Sequence, residues 1–202
     1  MSTPPPATGT SGASAEAQGA VLVVRSARTG DAARLATLAT QVWLHTYATD
    51  GIDDDIARHV LSELGMERHA ALLGDPGVRV LVAELAGRLV SMAVLRIGAQ
   101  GPVGAASTAE LQTLYVQAHF VGRGIGTRLL QAAEGLARSQ AGCALWLTVN
   151  ARNARALAFY AHQGYRRVGT DWFTLGEARH ENHVLLGGGL AGRPTGRYGG
   201  LA

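Results

Sequence analysis

The chain has 202 residues, a formal net charge of +3 and one cysteine, Cys143, and all 18 of its basic residues are arginine. The absence of lysine excludes a P-loop lysine, a Schiff-base lysine and a lysine general base. A single cysteine excludes an intramolecular disulfide and any multi-cysteine metal site. The length fits one domain, and a hydrophobic content of 47% is enough to fill one core.

Both ends of the chain have compositions that can bury little apolar surface. Residues 1–20 are rich in Pro, Ser, Thr, Gly and Ala, and residues 187–202 are rich in glycine. We therefore predict a disordered leader over 1–20, a folded domain over 21–186 and a flexible tail over 187–202. The leader lacks the basic start and apolar centre of a signal peptide, and no apolar run reaches membrane-spanning length. We therefore expect a cytoplasmic protein without a membrane partner.

Hydrophobic periodicity and turn residues predict alternating helices and strands. In chain order these are strand 21–25, a helix capped by Asp31, helices 56–64 and 67–73, strands 78–85 and 89–97 joined by a hairpin at 86–88, strand 110–116, helix 125–140, strand 144–149, helix 154–163, and strands 165–175 and 183–186. This order indicates an α+β fold of the α/β-sandwich type. We expect a mixed, partly antiparallel twisted sheet with helices on both faces.

Strand 110–116 is followed by a glycine-containing turn and then directly by a helix. The turn contains Gly122, Gly124 and Gly126. Free N–H groups at a helix start attract an anion, and glycine lets a phosphate approach the backbone closely. The turn therefore predicts a pyrophosphate site that needs no lysine, and a turn that only packs tightly is the alternative. Its spacing differs from G-x-G-x-x-G, and no acidic residue follows at the next strand end, so we expect no Rossmann unit.

A second segment follows at the distance of the next strand and helix. It reads Leu145-Trp-Leu-Thr-Val-Asn-Ala-Arg-Asn-Ala-Arg-Ala-Leu-Ala-Phe-Tyr160 and continues to Gly164-Tyr165. Together with the glycine turn, it resembles the GNAT superfamily of acyl-CoA-dependent N-acetyltransferases over residues 21–186. The turn is similar to that family's pyrophosphate loop, Gln/Arg-x-x-Gly-x-Gly/Ala, except that Val121 stands at the Gln/Arg position.

The resemblance implies an acyl-CoA N-acyltransferase fold, with acetyl-CoA as co-substrate. It places the cofactor contacts on Leu114, Tyr115 and Val116 for pantetheine, on Gly122, Arg123, Gly124, Ile125, Gly126 and Thr127 for the pyrophosphate, and on Asn153 for the far side of the cofactor. It places the wall of the acceptor pocket on Trp43, His45 and Tyr47.

The implied reaction is direct attack of a primary amine on a thioester. By resemblance, Tyr160 is the acid that protonates the leaving thiolate. The amine also needs deprotonation, because roughly one molecule in 2500 is neutral at pH 7. Polyamine-acetylating relatives carry a glutamate where this chain has Gln112, which cannot accept a proton. Glu110, two residues earlier on the same strand face, is our candidate base through water. Gln112 with water, or no base at all, remains open.

We predict structural rather than catalytic roles for the remaining titratable residues. We expect Cys143 to pack as a thiol, and the histidines show no metal-ligand spacing, so we predict no metal. We expect His180 and His183 at the surface, and a place on the wall of the acceptor pocket is the alternative. The run Asp53–Asp55 is expected to begin a helix, and it can also attract a cationic acceptor.

We therefore predict an N-acetyltransferase that moves the acetyl group of acetyl-CoA to a primary amine of a small molecule or peptide. The residue pattern is most similar to the polyamine-acetylating subgroup. Two alternatives are a protein N-terminal acetyltransferase and a sensor module that binds acyl-CoA without turnover, which Gln112 and Val121 favour. The scattered arginines form no basic face, so we expect no nucleic-acid partner. A homodimer is left open.

Overall fold

The computed structural model describes residues 21–102, 105 and 107–188, so the predictions for the leader and for residues 189–202 lie outside the described residues. The elements are β1 (Leu22–Ser26), α1 (Ala32–Tyr47), α2 (Asp54–Glu63), α3 (Met66–Gly74), β2 (Val78–Leu85), β3 (Arg88–Ile97), β4 (Ala109–Val116), α4 (Ile125–Ala141), β5 (Leu145–Asn150), α5 (Ala154–His162), β6 (Tyr165–Leu175) and β7 (Ala178–Gly187). None of the described helices is both long and apolar enough to cross a membrane.

The strands form one seven-stranded sheet in the order β1-β2-β3-β4-β5-β7-β6. Only the central β4–β5 pair is parallel, and each of the other neighbouring pairs is antiparallel. Helix α4 covers one face and helix α1 covers the other. This arrangement confirms the predicted mixed sheet with helices on both faces.

Helix spacing explains why α1 and α4 cover the sheet. In α4, buried Leu129, Ala133 and Ala137 recur every four residues and pack on apolar strand residues such as Leu147. In α1, the buried apolar residues are Ala32, Leu35, Ala36, Leu38, Ala39 and Trp43. Each fully buried leucine contributes about 2 kcal/mol through removal of its surface from water, so these two helices hold the sheet in place.

The last strand is longer than its sequence pattern predicts. The prediction placed it at 183–186, whereas β7 begins at Ala178 and pairs with β6 from Leu175↔Ala178 to Tyr165↔Gly187. Residues 179–182 are polar, so they carry no apolar alternation that would identify a strand. Main-chain pairing with β6 decides their structure instead, and it leaves Arg179 exposed while His180, Glu181 and Asn182 are half-buried.

Asp31 stands at the N-cap position of α1 as predicted, but its side chain makes no capping hydrogen bond to this helix because it is engaged elsewhere. It is 2% exposed, accepts hydrogen bonds from Arg25 Nη1 (2.7 Å) and the Arg28 N–H (2.8 Å), and pairs with Arg34. Arg25 also donates to Glu84 on β2 (2.6 Å). These donors, Arg25 first, hold the pKa of Asp31 well below its usual range. The cluster therefore ties β1, β2 and α1 together.

Substituting Asp31→Asn removes a buried charge between two arginines and should destabilise the fold by about 3 kcal/mol at pH 7. The exposed pair Arg167–Glu181 (3.2 Å) gives the control, since Glu181→Gln should cost less than about 1 kcal/mol. Because folding lowers the pKa of Asp31, its stabilisation is complete above the ordinary carboxyl pKa and is lost as the pH falls below it. Urea unfolding should show the wild-type advantage shrinking in acid, and a constant difference would contradict this assignment.

Candidate functional site

The central strands part soon after they begin. β4 and β5 are paired only at Ala109↔Leu145 and Glu110↔Trp146. The β3–β4 register shifts at Val94/Leu95 and leaves Gln112 as an extra residue, which is a β-bulge. A bulge bends its strand and re-aims the following residues. The second half of β4 therefore diverges from β5 and opens a gap in the middle of the sheet.

Main-chain groups of β4 face this gap. The carbonyl oxygen of Tyr115 accepts a hydrogen bond from Ser91 Oγ on β3 (2.6 Å), so it points away from the gap. Neighbouring residues of a strand direct their N–H and C=O groups to opposite sides. The groups of Leu114 and Val116 therefore point into the gap, while Tyr115 offers it a side chain.

The glycine turn begins helix α4 at one mouth of the gap. Gly122 and Gly124 have φ of +81° and +73°, and Gly124 caps the helix without any side-chain hydrogen bond. A Cβ at either position would meet no atom within 4 Å, so both border open space. The first N–H groups of the helix are thus left for an anion. A Cβ at Gly126 would lie 3.5 Å from Val116 and 3.6 Å from Phe159, so this glycine sets close packing instead.

A cleft of about 800 Å³, here called the glycine cleft, lies between the turn, α1 and α5. Leu114–Val116, the turn and Arg155, in the first turn of α5, line it. Arg155 is the one arginine on this wall among the described residues. The guanidinium of Arg123 lies 5.2 Å from the ring centroid of Phe120 instead. Helix N–H groups and Arg155 make the cleft suited to an anionic ligand.

A second cleft of about 1160 Å³, here called the acidic cleft, opens on the other side of the gap. Its wall includes four carboxylates, those of Asp50, Asp53, Asp55 and Glu63, and no arginine among the described residues. Asp53 accepts a hydrogen bond from the Ile56 N–H (2.8 Å) and so caps α2, as the sequence predicts for this acidic run. The cleft therefore favours a cationic ligand.

Aromatic and imidazole rings form one continuous wall of the acidic cleft. The ring of Trp43 lies 5.2 Å from Tyr47 and 4.7 Å from His59 between centroids. The His59 ring lies 6.0 Å from Phe173, and Phe173 lies 6.4 Å from His180. These rings come from α1, α2, β6 and β7, so four separate elements shape this wall.

The two clefts meet at a small set of shared residues. These are Tyr47, Leu114, Tyr115, Asn153, Ala156 and Tyr160. Asn153 Oδ1 accepts the Ala156 N–H (3.0 Å), which caps α5, and Asn153 also hydrogen-bonds to Tyr47. Burial raises the pKa of Tyr160 and Tyr115 above the ordinary phenol value, and neighbouring tyrosines add to the rise. These phenols therefore stay protonated across the physiological pH range.

Glu110, the candidate base, does not line the acidic cleft, whereas Gln112 does. Gln112 Nε2 donates to the Glu110 carboxylate (3.0 Å). Burial raises the pKa of Glu110, and Asp171 adds to the rise, while Gln112 and Arg96 oppose it. Glu110 therefore contacts the Gln112 amide, and it is Gln112 that faces the cleft.

The structure separates the residues predicted for the acceptor wall. Trp43 and Tyr47 line the acidic cleft, whereas His45 lines the glycine cleft. The prediction that His180 lies at the surface is wrong, because it is half-buried and lines the acidic cleft. Sequence reasoning missed Arg155 and His59. Both lie on helices, and only the tertiary structure shows which face of each helix lines a cleft. The described residues include no group of three or more potential ligands that could hold a metal ion.

The chain is similar to proteins of known family. A family model described as the acetyltransferase (GNAT) family matches residues 39–165. An uncharacterised N-acetyltransferase of Mycobacterium tuberculosis is 33% identical over 156 residues, which cover 77% of this chain and 96% of the relative.

Solved structures share the fold. The PaiA N-acetyltransferase from Thermoplasma acidophilum, solved in complex with coenzyme A, has a TM-score of 0.68 and 20% identity, covering 83% of this chain and 98% of that one. A ribosomal-protein-alanine N-acetyltransferase from Brucella melitensis has a TM-score of 0.57 and 24% identity, covering 81% of this chain and 98% of that one. At these identities the likeness establishes the architecture.

Proposed function

The chain belongs to the acetyltransferase (GNAT) family and is an N-acetyltransferase, and from that membership we propose that it transfers the acetyl group of acetyl-CoA to a primary amine of a cationic small molecule. One observation carries the proposal. A cleft suited to an anion and a cleft suited to a cation meet at Tyr47, Tyr115 and Tyr160, beside the gap between β4 and β5.

Acetyl-CoA fits the glycine cleft. The free N–H groups from Gly124 to Thr127 would hold the pyrophosphate, since a helix N-terminus with glycine before it is an anion site. Arg155 supplies a positive charge to this cleft, whereas the family's Gln/Arg position is occupied by Val121. Pantetheine would lie in the gap and pair with the main chain of Leu114 and Val116. This seat directs the thioester towards Tyr160.

We call the place where the two clefts meet, at Tyr47, Tyr115 and Tyr160, the junction. Its tyrosines supply the acid. The amine nitrogen bonds to the thioester carbonyl carbon, the C–S bond breaks, and the departing thiolate takes the proton of Tyr160. The surplus proton on the new amide nitrogen then returns to the phenolate, so the enzyme ends in its starting state. Positioning two substrates in this way can supply about 7 kcal/mol or more of the barrier reduction.

The acidic cleft supports a cationic acceptor. Its four carboxylates attract an ammonium group, and its rings can contact an alkyl chain or stabilise a cation over a ring face. A polyamine or another small amine matches this chemistry. The ribosomal-protein relative makes a peptide N-terminus the alternative acceptor, and that alternative belongs in the same assay.

The direct test is thiol release from acetyl-CoA with spermidine, butylamine, a free amino acid and an alanine-initiated peptide as acceptors. We expect release to be fastest with spermidine and to fall as salt rises, because screening weakens attraction to the carboxylates. Preference for the peptide would assign a protein acceptor instead. No release with any amine, together with tight acetyl-CoA binding, would identify a sensor and contradict the proposal.

Substituting Tyr160→Phe should lower kcat by about 100-fold or more, since general acid catalysis contributes at least that much. Tyr165→Phe is the matched control, because its ring lies 5.4 Å from Tyr160 but lines neither cleft. Tyr47→Phe and Tyr115→Phe test the other two phenols. A normal kcat in Tyr160→Phe, or a larger loss in either of the other two, would overturn the acid assignment.

Two glycines of α4 give a matched test of the cofactor seat. Gly124 and Gly142 stand at opposite ends of the helix, both have positive φ, and a Cβ at either meets no atom within 4 Å. Changing either to alanine should therefore cost similar stability, about 1–2 kcal/mol. Only Gly124→Ala should weaken acetyl-CoA binding, by about tenfold, because its Cβ would hold the pyrophosphate away from the N–H groups of the helix start and weaken one charge-assisted hydrogen bond. Equal dissociation constants in calorimetry would contradict this seat.

A further inference from the structure

An amine that enters the site as an ammonium ion must lose a proton before it can accept the acetyl group. The structure offers a base for this proton that the sequence did not indicate. The need rests on the proposed function, because a primary amine with a pKa of about 10.4 is almost wholly protonated near neutral pH. The group that takes this proton must line the acidic cleft, where the acceptor would lie. It must also be basic enough to hold a proton, and unprotonated before the reaction.

The carboxylates of the cleft line its wall and are unprotonated, but they are too weakly basic to meet the remaining requirement. Asp53 accepts the Ile56 N–H, and Asp55 is paired with Arg58 (2.6 Å). Ionised carboxylates are weak bases, with ordinary pKa values of about 4. Glu110 lies outside the cleft wall, and Gln112, which lines it, has no basic atom.

Tyrosines meet the requirements no better. Burial raises the pKa of Tyr47, Tyr115 and Tyr160, so all three are acids rather than bases before the reaction. Among the described residues of the wall, this leaves two imidazoles, His59 and His180. Imidazole is the side chain whose ordinary pKa suits proton uptake near neutral pH.

His59 is linked to the shared residues of the two clefts by fewer ring contacts than His180 is. Its ring lies 4.7 Å from Trp43, whose ring lies 5.2 Å from the shared residue Tyr47. His180 lies beyond Phe173 in the same row of rings. The row thus runs from the junction through Trp43 to His59, then Phe173, then His180. Water in the acidic cleft can connect His59 to an amine at the junction.

We propose that His59, on helix α2, is the base that takes the proton of the acceptor ammonium through water. The ammonium N–H bond breaks, and a proton is passed along the water to an imidazole nitrogen. The neutral amine nitrogen then bonds to the thioester carbon. His59 returns its proton to bulk water through the open cleft, so one proton is released per amide formed, in balance with the change from ammonium to amide.

The surroundings of His59 agree with this role. Its pKa is lowered from the ordinary value by burial, while Glu63, one turn along α2, opposes the change. Trp43 on α1 and Phe173 on β6 present apolar rings to it, and His180 on β7 lies behind Phe173. Asp50, Asp53 and Asp55 are the other charged groups of the wall. Burial therefore favours the neutral imidazole, which is the form that can accept a proton.

The test is the pH profile of kcat/KM for His59→Phe, which keeps a ring against Trp43 but has no basic nitrogen. With spermidine as acceptor, the variant should be about 100-fold slower than the wild type at pH 7. The deficit should shrink to within about threefold near pH 10, where the amine deprotonates unaided. A second variant, His59→Ala, should regain activity when imidazole is added. His180→Phe is the control, and its ratio to the wild type should not change with pH.

Each outcome has a separate meaning. A His59→Phe profile parallel to that of the wild type would overturn the assignment, because lost packing alone lowers the rate equally at all pH values. The pH-dependent deficit appearing in His180→Phe instead would also overturn it. Absence of thiol release by the wild type with every amine would contradict the proposed function itself, and it is distinguished by the wild-type assay alone.

Discussion

The site depends on the short length over which the two parallel strands β4 and β5 are paired. β4 and β5 share only the pairs Ala109↔Leu145 and Glu110↔Trp146, and the bulge at Gln112 turns the rest of β4 away. Main-chain groups of a half-buried strand need hydrogen-bond partners, so a gap in the centre of a sheet favours an extended ligand that supplies them. Both clefts open into this gap. A fully paired sheet would close the site.

Charge is divided across the gap. On one side, the start of α4 and Arg155 offer N–H groups and positive charge, and on the other side four carboxylates line the wall. An anionic donor and a cationic acceptor would each approach from the side that attracts it, and they would meet beside Tyr160, which is 7% exposed. The division needs no lysine, because main-chain groups and one arginine supply the positive side.

Local sequence patterns predicted the elements and the glycine turn, because these depend on residues close together in the chain, whereas the role of Tyr160 came from the family resemblance. The comparisons confirmed the family and fold. Three-dimensional placement decided the rest. His180 lines the acidic cleft because pairing with β6 extends β7. His45 lines the glycine cleft, whereas Trp43 on the same helix lines the acidic cleft. The Asp31 side chain, at the N-cap position of α1, accepts a hydrogen bond from Arg25 instead of capping the helix. Hydrophobic periodicity within one segment does not predict contacts with distant segments of the chain.

Amide hydrogen exchange measured with and without acetyl-CoA tests the central claim most directly, because it reports on main-chain groups residue by residue. If the cofactor bridges the gap and rests on the helix start, protection should rise at Leu114, Val116 and the segment Gly124–Thr127. The outer strand β1, at the far edge of the sheet, should not change. Unchanged exchange along β4 and the glycine turn at saturating acetyl-CoA would contradict the account.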